Sequence, residues 1–169
     1  MNHIVANYPK LTSRCHCLNI RRASRAVTQF YENVLEPSGL KVTQYSLLWN
    51  LEQVEPVTIS ELAKTMRIDR TTLNRNMKPL VDVGLITVNS GAKILHGHGL
   101  LYKHVGLLTV NSGDDPRSKH VVLTEAGRTA LLRAGTLWCE AQASLKEYLG
   151  EAELATLEVL LSKLEALIP

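Results

Sequence analysis

Five polar or basic residues recur at spacings that would place them on one side of a helix. They are Arg70, Thr71, Asn74, Arg75 and Lys78. An arginine guanidinium presents a fork of donors to a guanine edge or a phosphate, and an asparagine amide can bridge adenine. Threonine and lysine suit phosphates or single base contacts. These five residues, together with the neighbouring Thr72, predict a surface that reads nucleic acid. The alternative is that they form the solvated face of an ordinary helix.

Two short helices joined by a tight turn would position these side chains. Thr58 and Glu61 have the spacing of a capping box, which fixes a helix start. The apolar pattern breaks at Arg67, and Asp69 is a good N-cap for a second helix. Apolar residues of this second helix share the opposite face: Leu73, Met77, Leu80 and Val81. Residues 58–83 are therefore predicted to form a helix-turn-helix.

Composition places the chain among helical proteins of one domain or two small lobes. It has 169 residues, of which 45% are hydrophobic and only 5% aromatic. No apolar run approaches the roughly 18 residues of a membrane span, and the N-terminus lacks the features of a secretion signal. We therefore expect a cytoplasmic protein without membrane contact. Three cysteines do not make a disulfide framework in such a chain, so reduced thiols are expected.

Charge is distributed unevenly along the chain. Five basic residues lie between Lys10 and Arg25 with no acid before Glu32, whereas acids predominate after Thr136. The C-terminal end should avoid nucleic acid and the middle could attract it. The sequence contains no phosphate-binding loop, nucleophile elbow, dinucleotide fingerprint or zinc-protease motif, so an enzyme is not expected. A helical interaction scaffold is the stronger rival interpretation.

Strand-like runs follow the second helix. They are residues 85–88, 107–110 and 120–123, and a turn rich in Gly, Asp and Pro precedes the last of them. A β-hairpin after a recognition helix is the order of a winged helix. Arg117, Ser118 and Lys119 near the turn are predicted to contact a minor groove or phosphates.

Long helices flank this central region. One should run from a cap at Thr12 or Ser13 to about Leu35, with a buried stripe that includes Leu18 and Val27. Thr43 should cap a helix reaching Gln53. Two further helices should cover residues 124–149 and 151–168. The terminal helices have more apolar surface than a small lobe covers, which favours a dimerisation bundle over a monomer.

The predicted fold is mainly α with a small β-wing, in which a winged helix-turn-helix lobe joins a helical dimerisation bundle. We assign residues 1–11 to an N-terminal arm, 12–36 and 124–169 to the dimerisation region, and 37–123 to the DNA-binding lobe. Two-fold symmetry would place two recognition helices on successive major grooves of a palindromic site in double-stranded DNA.

Three stretches closely resemble the MarR (multiple antibiotic resistance regulator) family of bacterial transcription factors. They are RRASRAVTQFYENVLEPSGLKVTQYSLL (21–48), TISELAKTMRIDRTTLNRNMKPLVDVGLI (58–86) and NSGDDPRSKHVVLTEAGR (111–128). The most characteristic part is an Asp–x–Arg wing tip followed by a strand and LTEAG. The resemblance implies a homodimeric repressor or activator, often released from its operator by a small phenolic or lipophilic effector.

Two sets of residues are candidates for sensing. By position, Arg22, Arg25, Tyr31 and Tyr45 could line an effector pocket, although residues there also serve as core. Cys15 and Cys17 open the first helix, and some family members sense organic hydroperoxides through a cysteine at a comparable place. A thiol-based redox sensor is therefore an alternative; the other is that these cysteines are small apolar residues.

The chain departs from the family pattern by a duplication. VGLITVNSG (83–91) recurs as VGLLTVNSG (105–113), which adds about 22 residues within the DNA-binding lobe. Because the second copy adjoins the wing turn, we expect it to pair with residues 120–124 through the shortest loop, and we expect the insertion near 84–105 to weaken or alter operator binding. Between the copies, His96 and His98 could ligate Zn²⁺ or Ni²⁺, but solvent-exposed histidines are the better interpretation, and no metal or cofactor is predicted.

Overall fold

The computed structural model of the chain describes residues 13–90 and 119–167, which form six α-helices and one small sheet. The helices are α1 (His16–Leu35), α2 (Val42–Val54), α3 (Ile59–Thr65), α4 (Arg70–Asp82), α5 (Glu125–Leu149) and α6 (Glu151–Glu165), with a 3₁₀ turn at Glu36–Ser38. The strands are β1 (Val57–Thr58), β2 (Ile86–Ser90) and β3 (Lys119–Leu123). The predicted fold class, mainly α with a small β-wing, is confirmed.

The chain divides into two compact units. The first comprises the described residues of Met1–Val42 and Leu132–Pro169, and therefore contains α1, most of α5 and α6. The second, Thr43–Leu131, contains the helix-turn-helix and the sheet. Its core is built from fully buried aliphatic side chains, among them Leu47, Leu48, Leu51, Leu62, Leu73, Leu80, Ile86 and Val121.

The sheet is antiparallel, with β3 between β1 and β2. β2 pairs with β3 from Ile86 opposite Leu123 to Ser90 opposite Lys119. On the other side, Val57 lies opposite Val121. β1 was not predicted from the sequence. A strand of two residues has no period, and Thr58 was already explained as a helix cap.

The expectation that the second copy of the repeat pairs with β3 is wrong, because the first copy forms β2. Loop length misled the prediction, since each doubling of a loop costs only about 0.6 kcal/mol. Using the second copy would also move the extra residues to the connection between α4 and the sheet, where they would form another loop to close. The first copy follows α4 directly and buries Ile86. The second copy and the two histidines lie outside the described residues.

Two predicted helix starts also differ from the structure. α1 begins at His16 with Cys15 as its N-cap, because the Asn19 N–H bonds the Cys15 carbonyl at 3.1 Å. Ser13, one of the two predicted caps, instead accepts a hydrogen bond from the Cys15 N–H at 3.1 Å. α2 begins at Val42, so Thr43 lies inside it.

Much of the apolar surface expected to be buried is exposed in the single chain. On α1, Leu18 and Val27 are exposed, and on α5 Leu132 is 74% exposed. No residue of α6 is buried. The burial predicted for Leu18 and Val27 is therefore not found within one chain, since the described part of the chain supplies no element that covers them.

Candidate nucleic-acid interface

The first helix of the helix-turn-helix starts with the predicted capping box. The Thr58 hydroxyl oxygen accepts from the Glu61 N–H at 3.2 Å, and the Glu61 carboxylate accepts from the Thr58 N–H at 3.1 Å. That carboxylate also accepts from the Thr58 hydroxyl at 2.7 Å. The Thr58 side chain, followed by its backbone N–H, holds the pKa of Glu61 below its ordinary value. The start of α3 is thus fixed on the sheet through β1, which ends at the same threonine.

The turn between the two helices is closed by paired backbone hydrogen bonds. The Arg67 N–H bonds the Lys64 carbonyl and the Ile68 N–H bonds the Ala63 carbonyl, both at 3.0 Å. This is the Schellman arrangement, in which the residue after the C-cap adopts a left-handed conformation. Arg67 occupies that position with φ of 51°, where glycine would be unstrained. The turn sets the direction in which α4 leaves α3.

α4 begins at the predicted cap. Asp69 accepts from the Thr72 N–H at 2.9 Å and from the Thr72 hydroxyl at 2.6 Å. These bonds, the one from the hydroxyl first, hold the pKa of the Asp69 carboxyl below its ordinary value. Thr72 is half-buried and its hydroxyl donates to the cap, so its described role is to order the helix start. Its predicted contact with DNA stays a prediction.

The other five predicted residues of α4 are brought together on an exposed face. Leu73, Met77 and Leu80 are buried on the inner side of the helix, whereas Val81, which was predicted to lie with them, is exposed. Arg70, Thr71, Asn74, Arg75 and Lys78 are exposed on the outer side. Three cationic side chains, an amide and a hydroxyl therefore face outward within three turns of helix. They can donate to phosphate oxygens and to base edges in a major groove.

A second Schellman arrangement ends α4 and directs the chain into the sheet. Gly84, with φ of 73°, lies after the C-cap, and the Leu85 N–H bonds the Leu80 carbonyl at 2.8 Å. The Leu85 carbonyl then accepts from the Thr124 N–H at 3.1 Å, and the Thr124 hydroxyl donates to the Gly84 carbonyl at 2.7 Å. A Cβ on Gly127 would overlap the Leu85 carbonyl oxygen. The characteristic LTEAG segment therefore joins the end of α4 to the start of α5.

The wing is described only in part. Lys119 is exposed at the outer end of β3, opposite Ser90. Lys119 was predicted to lie near the turn, whereas the structure places it inside the strand. Arg117 and Ser118 lie outside the described residues, so their predicted contacts with DNA remain predictions.

The predicted sensing residues are divided between the two units. In the first, Arg22 and Arg25 are exposed on α1, and Tyr31 is buried. The Tyr31 hydroxyl donates to the Gln142 side-chain oxygen at 2.9 Å, and the ring centroids of Tyr31 and Trp138 lie 4.7 Å apart. Burial raises the pKa of Tyr31. In the second, Tyr45 is buried in α2. Cys15 and Cys17 are both exposed.

One polar side chain of this lobe makes long-range contacts that were not predicted from the sequence. Glu55, between α2 and β1, accepts from the Leu123 N–H at 2.5 Å and forms an ion pair with Arg128. The partners lie 68 and 73 residues away in sequence. No local spacing signals such a contact. The only hint was an acid directly before Pro56, a residue that has no N–H for a strand ladder.

Residues 13–90 and 119–167 contain no group of three His, Cys, Asp or Glu side chains placed to hold a metal ion. Within the same ranges, no helix has both the length and the apolar character needed to cross a bilayer.

Comparisons with known proteins identify the family. A sequence model of the MarR family matches residues 38–93. The chain is 32% identical to the transcriptional regulator MosR of M. tuberculosis, solved in complex with DNA. That match covers 92% of this chain and 99% of MosR, with a TM-score of 0.67. A search of curated protein sequences found no significant match.

Two more distant structures share the fold. BpsR of Bordetella bronchiseptica, described with the regulation of its DNA binding by 6-hydroxynicotinic acid, is 20% identical; the match covers 94% of this chain and 98% of BpsR, with a TM-score of 0.71. A cysteine-to-serine mutant of MarR from E. coli, complexed with operator DNA, is 21% identical; that match covers 90% and 93%, with a TM-score of 0.68. The chain belongs to the MarR family and is a winged-helix, DNA-binding transcriptional regulator.

Proposed function

We propose that this regulator acts in the cytoplasm as a homodimeric repressor on a palindromic operator. The observation that supports this most strongly is the outer face of α4, where Arg70, Asn74 and Arg75 are exposed while the inner face is buried. In a two-fold dimer, the two copies of this helix would enter successive major grooves about 34 Å apart. Arg70 and Arg75 would then contact guanine edges or phosphates, and Asn74 an adenine.

Exposed apolar surface on the helical unit supports the homodimer. Along α6, Val159, Leu160 and Leu161 are each about half exposed, and Leu164 is 40% exposed. An isolated helix of this length is marginal in water, and apolar stripes on surface helices normally face a core. A second copy of the same helices would cover both α6 and the exposed apolar side of α1. We assign residues 12–36 and 124–169 to this dimerisation region.

We propose a small phenolic or lipophilic effector, with Arg22, Arg25, Tyr31 and Tyr45 as its candidate contacts. The regulation of the structurally similar BpsR by 6-hydroxynicotinic acid supports this class of ligand. A cationic guanidinium and aromatic rings suit an aromatic acid. Because the Tyr31 hydroxyl already donates to Gln142, an effector that reaches this residue would contact its ring or replace the amide.

A second candidate function is redox sensing by thiols, supported by the exposure of Cys15 and Cys17 at the start of α1. Both residues are exposed in the described chain, which makes them accessible to an oxidant. The test compares operator affinity before and after treatment with cumene hydroperoxide, in the wild type and in a variant with both cysteines changed to serine. Unchanged affinity of the oxidised wild type would dismiss this function.

The proposed repressor function is tested by selecting bound duplexes from a random DNA pool. We expect a palindromic consensus bound at least about 10³-fold more tightly than unrelated DNA. The sequence upstream of the protein's own gene should then be searched for that consensus. A helical interaction protein would instead bind all duplexes alike, with affinity falling steeply as salt rises. Recovery of unrelated sequences would therefore refute operator recognition.

A further inference from the structure

Glu55 contacts two residues that lie outside the exposed face of α4, Leu123 and Arg128. It follows α2 and directly precedes Pro56 and β1, and its side chain is only 11% exposed. One carboxylate oxygen accepts from the Leu123 N–H at 2.5 Å, and the other pairs with the Arg128 guanidinium. A single side chain thus holds the end of β3 and the first turn of α5.

The position of Glu55 in the sheet explains why a carboxylate is used there. Val57 lies opposite Val121 and Thr58 opposite His120, so continuation of this register would place residue 55 opposite Leu123. β1 ends before that point, and Pro56 has no N–H to extend the ladder. The Glu55 side chain supplies an acceptor where the strand stops. Without it, the part-buried Leu123 N–H would lose a charge-assisted hydrogen bond.

The opposite side of the same junction is fixed to the recognition helix. Thr124 bonds the Gly84 and Leu85 carbonyls at the end of α4, one residue after the contact made by Glu55. β3 is therefore held at its inner end from both sides, by α4 through Thr124 and by the end of α2 through Glu55. Lys119 lies at the outer end of this short strand. A change in strand direction at Leu123 would move Lys119 relative to α4.

We infer that Glu55 is a positioning residue for DNA recognition, which sets the direction of the wing strand relative to α4 without touching DNA. This inference rests on the proposed function and on the predicted contact of Lys119 with DNA. Arg128 completes the arrangement, because its guanidinium neutralises the part-buried carboxylate. Glu55 therefore affects the affinity for DNA through the position of the wing.

The test is a double-mutant cycle on operator affinity. Glu55→Gln keeps an acceptor for Leu123 but loses the ion pair, and it is measured alone and together with Lys119→Ala. We expect Glu55→Gln to weaken binding by about tenfold, and by no more than about twofold when Lys119 is already alanine. Glu52→Gln, an exposed site three residues earlier, removes the same charge and should change affinity by less than about twofold.

The outcomes separate this inference from the proposed function. If Glu55→Gln weakens operator binding equally with Lys119 and with alanine at position 119, or does not weaken it at all, the role of Glu55 is overturned. Specific operator binding by the wild type would in that case still support the proposed function. A wild type without site preference would overturn both. Amide exchange at Leu123 gives a readout that needs no DNA, and we expect it to be at least about tenfold faster in Glu55→Ala than in the wild type. Unchanged exchange at Leu123 would also contradict the inference.

Discussion

Two residues with positive φ show how single positions determine the shape of the helix-turn-helix. Arg67 and Gly84 occupy equivalent positions after α3 and α4, with φ of 51° and 73°. A residue with a Cβ is disfavoured in this conformation by about 1–2 kcal/mol. Glycine avoids that strain, and it is the usual residue after the C-cap in a Schellman arrangement. α4 is thus followed by an unstrained turn and preceded by a strained one.

This difference predicts opposite effects for two substitutions. Gly84→Ala should lower the free energy of unfolding by about 1–2 kcal/mol, because its Cβ would meet no atom within 4 Å and the penalty is conformational. Arg67→Gly should be about 1 kcal/mol more stable than Arg67→Ala, a control that removes the same side chain contacts without relieving φ. Urea denaturation measures both. Equal stability of the two variants at position 67 would contradict the assignment.

The Thr58 and Glu61 capping box predicts a dependence of stability on pH. Because the folded state holds the pKa of Glu61 below its ordinary value, its contribution is present above the unfolded pKa and is lost as pH falls through the folded pKa. Thr58→Ala should therefore lower the free energy of unfolding by about 1 kcal/mol at neutral pH and by less at about pH 3. Denaturation at the two pH values, with Thr65→Ala as the control, would show this; an equal loss at both would refute it.

Local elements were predictable where one short segment contains all the information. The caps at Thr58 and Asp69 and the two faces of α4 follow from residues within a few turns, and the structure confirms them except at Val81, which is 40% exposed. Long-range contacts were not predictable in this way. β1 exists only because β3 pairs with it, and Glu55 is explained only by Leu123 and Arg128. Of the two nearly identical strand copies, the one that directly follows α4 pairs with β3.

The duplicated strand yields a prediction at the level of the element. In a chain lacking residues 84–105, Gly106 would follow Val83 and Leu108 would take the place of Ile86 in β2. Backbone atoms would still satisfy Thr124, and an Ile-to-Leu exchange in a core usually costs less than about 1.5 kcal/mol. We expect a folded protein with altered operator affinity, measured by denaturation and fluorescence anisotropy. A deletion variant that binds with unchanged affinity would show that the insertion does not affect recognition.

At the scale of the whole molecule, one chain leaves apolar residues of α1 and α6 exposed to solvent. The sequence predicted the apolar stripe of α6, but the stripe alone does not distinguish packing within a chain from packing between copies. In the described ranges α6 buries no residue, which favours the second explanation. The excess of acidic residues at this end of the chain would also disfavour its contact with nucleic acid.

Charged residues introduced on that apolar surface should therefore separate the subunits. Leu160→Glu combined with Leu164→Glu would place two carboxylates in the proposed interface, and we expect a monomer by sedimentation with at least about a hundredfold weaker operator binding. Lys163→Glu alters charge at a neighbouring exposed site and should remain dimeric. A dimer that persists in the double variant would place the interface elsewhere.

The central claim is that the outer face of α4 reads DNA sequence. Its most direct test is titration of the selected operator and a scrambled duplex with the wild type and with an Asn74→Ala, Arg75→Ala variant at fixed salt. We predict a specificity ratio of about 10³ or more for the wild type, and a loss of at least about tenfold in that ratio for the variant. A variant that retains the full ratio, with both duplexes weakened equally, would contradict the claim and leave these residues as phosphate contacts only.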